Sequence, residues 1–387
     1  MTFPGFIDVH VHFRDPGVPE AETTASGLAA AAAGGFGAVV VMPNTMPPID
    51  TPARVASQLE RITDYKLQIT NAQPSTFNLQ PSTFLLASAC ITKDRAGREV
   101  AELEALAEAG AVFFTDDGTY VGDAKVMEEA MRRAAELNRV VSQHALAPGV
   151  TEAEAIARDL SLCRETGCRL HIQHLSTAAG VELVLSAQRE GLPVTAEATP
   201  HHLLLTNEDI PGFGEDNKRT TTRTTSAVQP STSNLQPVFQ PSTFNLQPAP
   251  STFFKMAPPL ATKEDRAALR AAVKAGALMF ATDHAPHPLA KKLLPYEEAA
   301  NGIVGLETAI PITYGVMVEE EGMSVEDWAK AWWKLPRDIL PRSIDFAALA
   351  PTKIEVGELR KVDVEKFKSL SRNCPYHGTE WRCWPCR

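Results

Sequence analysis

The sequence predicts a (β/α)8 barrel, a closed ring of eight parallel strands surrounded by helices. Eight short apolar runs are spread along the chain, and stretches with helical spacing, rich in Ala, Leu and Glu, lie between most of them. Histidine or aspartate ends several of these runs. Alternating strand and helix signals are typical of parallel α/β folds, and eight alternations are typical of this barrel. At 387 residues the chain is long enough to bury a large core, although its length alone also permits two or three smaller domains.

The predicted strands are short apolar runs, which we take as buried parallel strands. They cover residues 6–12, 38–42, 84–90, 111–115, 140–144, 170–174, 194–198 and 278–283. The predicted helices carry apolar residues at helical spacing and cover residues 25–33, 100–109, 124–137, 152–166, 178–190 and 263–275. We therefore expect the barrel to occupy residues 4–345, followed by a C-terminal tail at 346–387.

Two segments interrupt this alternation and repeat the phrase QPSTF. They lie at about 71–84 and 218–254 and are rich in Pro, Ser, Thr, Gln and Asn. Recurrent proline interrupts helices and central strands, so we interpret both as exposed low-complexity loops inserted into the barrel. A lid or an arm that binds a partner is the alternative interpretation.

Composition excludes some functions and favours others. A net charge of −10 without a basic cluster argues against nucleic acid as the main partner, so a small-molecule substrate is expected. No apolar run approaches the roughly 18 residues of a membrane helix, and the first residues lack a secretory signal. We therefore predict a cytoplasmic protein that is not bound to a membrane.

The six cysteines are too dispersed for a disulfide scaffold. Near the C-terminus, Cys374 and His377 are followed by Cys383 and Cys386, a spacing that a small zinc knuckle can use. An unstructured end explains the same pattern, so both interpretations stay open.

Candidate metal ligands lie at the ends of the predicted strands, which is where (β/α)8 barrels carry their chemistry. His10 and His12 are two residues apart on a strand, so their side chains face the same side. Further polar residues follow other strands: Asn44, Asp117, His144, His174 and Asp283. Imidazole nitrogens suit zinc, and a carboxylate can bridge two ions, so the pattern predicts one or two divalent metals. A single histidine on an apolar strand is usually a core residue, but several at successive strand ends favour a metal site.

Five motifs lie at or near the ends of predicted strands: DVHVHFRDPG at 8–17, MPNT at 42–45, TDDG at 115–118, TPHH at 199–202 and ATDHAPH at 281–287. Together they resemble the motifs of bacterial dihydroorotases, a branch of the amidohydrolase superfamily. The resemblance runs from about residue 4 to 306, apart from the repeat segments, and returns in FKSLSRN at 367–373. The motifs at 8–17 and 281–287, taken together, are highly specific for this family.

The resemblance implies a role for each matching position. His10 and His12 would bind one zinc ion, His144 and His174 a second, and Asp117 would bridge the two. Asp283 would bind metal and also act as the catalytic acid and base. Three further residues would bind the substrate carboxylate: Arg14, Asn44 and His287.

The implied reaction is the reversible cyclisation of N-carbamoyl-L-aspartate to dihydroorotate in pyrimidine biosynthesis. In the hydrolytic direction, a metal-bridged hydroxide would attack the amide carbonyl, and Asp283 would move the proton to the leaving nitrogen. Arg14 suits an acidic substrate because guanidinium can bind a carboxylate through two parallel hydrogen bonds.

Some positions depart from the family pattern and leave alternatives open. Ala257 and Ala261 stand where the family has a substrate-contacting Asn and commonly an Arg, and Asn301 also departs from the pattern. An inactive barrel that supports aspartate transcarbamoylase is therefore one alternative, and a hydantoinase or allantoinase is another. Asp117 in place of a carboxylated lysine argues against the latter. We also expect most of the family's accessory β-sandwich to be missing, with a remnant in the tail, and a homo-oligomer is left open.

Overall fold

The computed structural model describes residues 1–71, 83–213 and 249–386. The prediction of low-complexity insertions falls mostly on residues 72–82 and 214–248, which lie outside the described residues. The second predicted insertion also includes described residues, and these differ from the expectation of an exposed loop. Residues Ser251–Phe254 form a short 3-10 helix, and Phe254 is buried against the barrel core.

The main architecture is the predicted barrel of parallel strands. One sheet pairs the strands β2 (Phe6–Val11), β3 (Phe36–Val41) and β4 (Phe84–Ala87). A second sheet pairs β5 (Val140–Gln143), β6 (Arg169–Ile172), β7 (Val194–Ala198) and β8 (Met279–Phe280). All neighbouring pairs within these two sheets are parallel.

Single bridges join the two sheets into a ring. Phe114 pairs with Ala89 on one side and with Val141 on the other, in parallel register. The predicted fourth strand at 111–115 is thus reduced to one bridging residue, a correction that changes its extent but not its place in the ring. On the opposite side, Val11 pairs with His284, and the His12 N–H donates to the His284 carbonyl at 2.8 Å.

Six of the helices in the described part of the chain lie where helical spacing predicts them, and the other five were not predicted. They are α1 (Thr24–Ala33), α2 (Pro52–Asn71), α3 (Leu103–Glu108), α4 (Ala124–Glu136), α5 (Glu152–Thr166), α6 (Ala178–Arg189), α7 (Pro200–Leu204), α8 (Lys263–Lys274), α9 (Leu289–Lys292), α10 (Ala309–Thr313) and α11 (Val325–Ile339).

Local sequence explains where these helices begin and end, as α5 illustrates. Thr151 accepts a hydrogen bond from the Glu154 N–H, and the Glu154 carboxylate accepts one from the Thr151 N–H. This reciprocal cap satisfies amide groups that the first turn leaves free. Gly167 ends the helix at φ 67°, a left-handed conformation that glycine adopts without a steric penalty.

The strands bury both faces, as parallel barrels require. Alternate residues of β3 belong to two different apolar clusters. Ala38 and Val40 pack in the interior of the ring, whereas Val39 and Val41 pack beneath the outer helices. The period of two that separates the clusters is that of an extended strand.

Trp332 of α11 packs in the apolar layer between the outer helices and the barrel strands. Its ring centroid lies 5.2 Å from that of Phe36, 5.0 Å from that of Phe280 and 6.4 Å from that of Phe6. The indole N–H donates to the Thr313 hydroxyl at 3.2 Å, so the one polar group of this buried side chain has a partner.

A buried carboxylate joins the first barrel strand to the last. The Thr282 N–H donates to Asp8 Oδ1 at 3.1 Å, and the Thr282 hydroxyl donates to Asp8 Oδ2 at 2.5 Å. The His10 N–H also donates to Asp8. Burial raises the pKa of Asp8 to about 7, although these hydrogen bonds oppose the shift.

A small antiparallel sheet lies beside the barrel. It orders β1 (Thr2–Phe3), β9 (Thr352–Lys361) and β10 (Glu380–Pro385), with β9 in the centre. The tail is therefore folded, and the expectation of an unstructured end is wrong. In the described part of the chain, the two candidate metal groups both lie in the barrel and include none of the tail residues Cys374, His377, Cys383 and Cys386.

The described helices are too short or too polar to cross a membrane.

Trp332→Ala should lower the free energy of unfolding by about 3 to 5 kcal/mol, because it removes a fully buried aromatic side chain and leaves a cavity. Urea unfolding at a fixed zinc concentration measures this effect. Trp333→Ala is the matched control, since the neighbouring side chain is only partly buried. Equal losses for the two variants would contradict the assignment of Trp332 to the core.

Candidate metal centre

The predicted metal ligands meet at the carboxyl-terminal end of the barrel. His10 lies in β2, and His144 follows directly on β5. His174 and Asp283 follow β6 and β8 with φ values of 30° and 47°, which are left-handed conformations that ordinary residues rarely adopt. Such strain is typical of functional sites, where the surrounding structure holds a side chain in place.

His10, His12 and Asp283 form the first group of ligands. Asp283 Oδ1 lies 3.0 Å from His12 Nε2 and 3.5 Å from His10 Nε2. All three side chains are buried. The spacing of two on β2 therefore has the predicted result, because it places both imidazoles on the same side as the aspartate.

Asp117 connects this group to a second pair of histidines. Its Oδ2 lies 3.5 Å from His12 Nε2, and its Oδ1 lies 3.3 Å from His10 Nε2. Oδ1 is also 3.6 Å from His144 Nδ1 and 3.9 Å from His174 Nε2. His144 Nδ1 and His174 Nε2 are 2.9 Å apart. One carboxylate thus faces all four imidazoles, the arrangement expected of a bridging ligand.

These donors fit a zinc centre. Ligands about 2.1 Å from a tetrahedral zinc ion lie about 3.4 Å from each other, close to most of the distances above. His10 Nε2 is buried without a hydrogen-bond partner among the described residues, although it points at two carboxylates. Nitrogen and oxygen donors in this combination are those that zinc prefers.

The electrostatics of the site keep both aspartates ionised. Burial by itself would raise the pKa of Asp117 and of Asp283, but the neighbouring histidines, His10 first among them, hold both pKa values below the ordinary range. Two buried carboxylates stay charged only when positive charge lies nearby. A metal cation supplies that charge directly.

Glu197 is a functional residue that the sequence reasoning missed. Its Oε1 accepts a hydrogen bond from His10 Nδ1 at 2.5 Å and one from the His174 N–H at 3.1 Å. Its Oε2 lies 3.0 Å from Nε2 of His171, a residue without an assigned role in the sequence. A carboxylate behind a ligand histidine orients the ring and leaves the opposite nitrogen for metal. An acidic residue inside the apolar strand β7 is the signal that could have identified it.

Asn44 contacts the metal ligands directly. Its Oδ1 accepts a hydrogen bond from His12 Nδ1 at 2.9 Å, and its Nδ2 donates to Asp117 Oδ2 at 3.0 Å. These bonds orient His12 with Nε2 toward the centre. Arg95, which was not predicted, donates to the Asp117 main-chain carbonyl at 2.7 Å and supports the same loop.

Arg14 and His287 lie together beside the metal ligands. His287 Nε2 lies 3.3 Å from an Arg14 Nη2 and 2.7 Å from the Asn301 carbonyl. Burial and the Arg14 charge lower the pKa of His287 to about 3, so its ring is neutral. Its Nε2–H therefore donates to Asn301. The structure thus brings together all the predicted site residues.

His202 contacts protein groups through both ring nitrogens. Nδ1 lies 2.8 Å from the Thr199 hydroxyl, and Nε2 lies 3.2 Å from the Pro258 carbonyl.

Sequence comparisons identify similar proteins over the whole chain. A family model described as dihydro-orotase-like matches residues 1–171. The chain is 36% identical to the dihydroorotase of Geobacillus sp. (strain WCH70), a match that covers 98% of this chain and 84% of that one. It is 35% identical to the dihydroorotase of Carboxydothermus hydrogenoformans, with 100% and 84% covered.

Solved structures share the fold. An L-hydantoinase from Arthrobacter aurescens superposes with a TM-score of 0.74 at 22% identity, covering 100% of this chain and 83% of that one. A dihydroorotase from Saccharomyces cerevisiae in complex with 5-fluoroorotic acid gives a TM-score of 0.72 at 18% identity, with 100% and 98% covered. At these identities the likeness establishes the fold alone.

Glu197→Gln should weaken zinc binding by about 10- to 100-fold, because the amide is a poorer acceptor for the His10 N–H than the carboxylate. Competition with a chromophoric chelator measures the affinity. Glu190→Gln is the control, since Glu190 is an exposed acid that pairs with Arg164 on the surface. If the Glu197 variant bound zinc with unchanged affinity, the proposed role of Glu197 in metal binding would be wrong.

Proposed function

Because the chain belongs to the dihydroorotase family of cyclic amidohydrolases, we propose that it interconverts dihydroorotate and N-carbamoyl-L-aspartate at a zinc centre. Full-length identity of about a third to proteins of that name supports the reaction. The observation that carries the proposal is Asp117, whose two carboxylate oxygens face both pairs of histidines. That geometry suits two zinc ions with a shared ligand.

The proposed ligands are His10, His12 and Asp283 for one ion and His144 and His174 for the other, with Asp117 shared. Bound zinc lowers the pKa of water and polarises a carbonyl group, the two requirements of amide hydrolysis at neutral pH. Asn44 and Glu197 hold His12 and His10 in the tautomers that direct Nε2 inward.

Asp283 is the proposed general acid and base. Asp283 contacts His10 and His12 through Oδ1, so we assign the proton transfer to Oδ2. In hydrolysis, Asp283 accepts a proton from the attacking water and gives it to the ring nitrogen as the carbon–nitrogen bond breaks. In cyclisation the same carboxyl group moves the proton in the opposite direction.

Arg14 and His287 are proposed to bind the substrate carboxylate. Both side chains lie beside the ligand group. The guanidinium provides the positive charge that a carboxylate requires, and the single N–H of the neutral His287 ring would be shared between the Asn301 carbonyl and the substrate carboxylate. Asn44 can contribute its amide when substrate displaces its bond to Asp117.

The cellular location of the protein is also a proposal. All six cysteines are unpaired, which supports a reducing, cytoplasmic location. Aspartate transcarbamoylase as a partner, and a homo-oligomer, stay predictions. Hydantoinases resemble this chain in fold at 18–22% identity, which does not favour their substrates over dihydroorotate.

Asp283→Asn should reduce dihydroorotate hydrolysis by about 100- to 10,000-fold with zinc retained, because the amide cannot carry the proton. Steady-state assays and metal analysis of the same preparation measure the two quantities. Asp123→Asn is the control, since that aspartate caps an exposed helix end. Full turnover in the Asp283 variant would refute its role, and zinc-loaded wild type without turnover would refute the function.

Arg14→Lys should raise the KM for dihydroorotate by about tenfold or more with a smaller change in kcat, because lysine keeps the charge but loses the paired donors. Arg98→Lys, at an exposed position, serves as the control. An unchanged KM would show that Arg14 does not bind the substrate carboxylate.

A further inference from the structure

Lys292 is a fully buried lysine that the proposed mechanism does not use. It ends the short helix α9, five residues after His287 in the chain. Its Nζ donates to three main-chain carbonyls: Lys255 at 3.2 Å, Ala300 at 2.9 Å and Gly302 at 2.9 Å. An ammonium group has three N–H donors, so acceptors and donors match one for one. A buried charge requires such partners to offset its lost hydration.

Two of these carbonyls belong to the segment that contacts His287. Ala300 and Gly302 flank Asn301, whose own carbonyl accepts the hydrogen bond from His287 Nε2 at 2.7 Å. The Gly302 N–H donates to the Lys255 carbonyl at 2.9 Å, so the ammonium and this amide share one acceptor. The position of the His287 ring therefore depends on a main-chain turn that Lys292 binds on both sides.

The 300–302 turn packs closely against Ala285, which follows the last barrel strand. Gly302 has a φ of 119°, and a Cβ at this position would lie 2.5 Å from the Ala285 Cβ. Asn373 from the tail donates to the Ala285 and Gly302 carbonyls, each at 3.0 Å. Its Oδ1 accepts a hydrogen bond from the His287 N–H at 3.2 Å. Main chain and side chain of His287 are thus held by two separate contacts.

We propose that Lys292 is a positioning residue for substrate binding, which holds the 300–302 turn so that His287 faces the substrate carboxylate beside Arg14. This inference rests on the proposed dihydroorotase function. The metal ligands are held by other contacts, chiefly those of Glu197 and Asn44. Loss of the ammonium should therefore affect recognition of the carboxylate more than the chemical step.

The test compares Lys292→Met with Lys291→Met in the full zinc-loaded chain. Lys291 is the adjacent, exposed lysine, so the two variants make the same side-chain change at neighbouring positions. For Lys292→Met we expect the KM for dihydroorotate to rise about tenfold or more, while kcat changes by less than about threefold and zinc content is unchanged. Lys291→Met should leave KM within about twofold of wild type.

Lys292→Gln provides a second measurement if the Met variant does not fold. Glutamine retains two N–H donors, so its KM should lie between those of wild type and the Met variant. An unchanged KM in a folded Lys292 variant would overturn the inference, and so would a fall in kcat and zinc content without a change in KM. If zinc-loaded wild type shows no turnover at all, the proposed function fails instead.

Discussion

The metal centre depends on the hydrogen bonds that close the barrel between its first and last strands. Asp8 accepts bonds from the amide and hydroxyl of Thr282, and the His12 N–H donates to the His284 carbonyl. These bonds fix the register between residues more than 270 positions apart in the chain. Because Asp283 lies between Thr282 and His284, its carboxylate reaches His10 and His12 only when these hydrogen bonds are formed.

In the closed barrel, the site combines buried, negatively charged carboxylates with buried imidazole rings. Asp117, Asp283 and Glu197 place three carboxylates next to four imidazoles, with almost no contact with water. Each carboxylate is ionised because the histidines offset its burial, and each histidine is oriented by an oxygen acceptor or by a neighbouring ring. Such a cluster binds cations strongly, since a metal ion satisfies several buried groups at once.

The sequence was sufficient to predict the barrel, and it also pointed to the residues that come together at the barrel end, because both leave local signals. Apolar runs mark the strands, and polar residues at their ends stand out against them. The fourth strand was predicted too long, since an apolar run does not show how many residues actually pair. Glu197 and Lys292 were missed because their roles are non-local: one faces β2 across the barrel interior, and the other binds carbonyl groups, which every residue carries. The pairing of β1 with β9 was missed for the same reason.

Asn373 gives the chain an order of assembly. Its amide donates to the carbonyl of Ala285 at the barrel end and to that of Gly302 in the 300–302 turn, and its oxygen accepts a hydrogen bond from the main-chain N–H of His287. During synthesis the barrel strands through β8 can pair before residue 373 has been made, but the turn lacks this contact until then. The 300–302 turn is therefore fully held against the barrel end only after the C-terminal tail has been made and has docked.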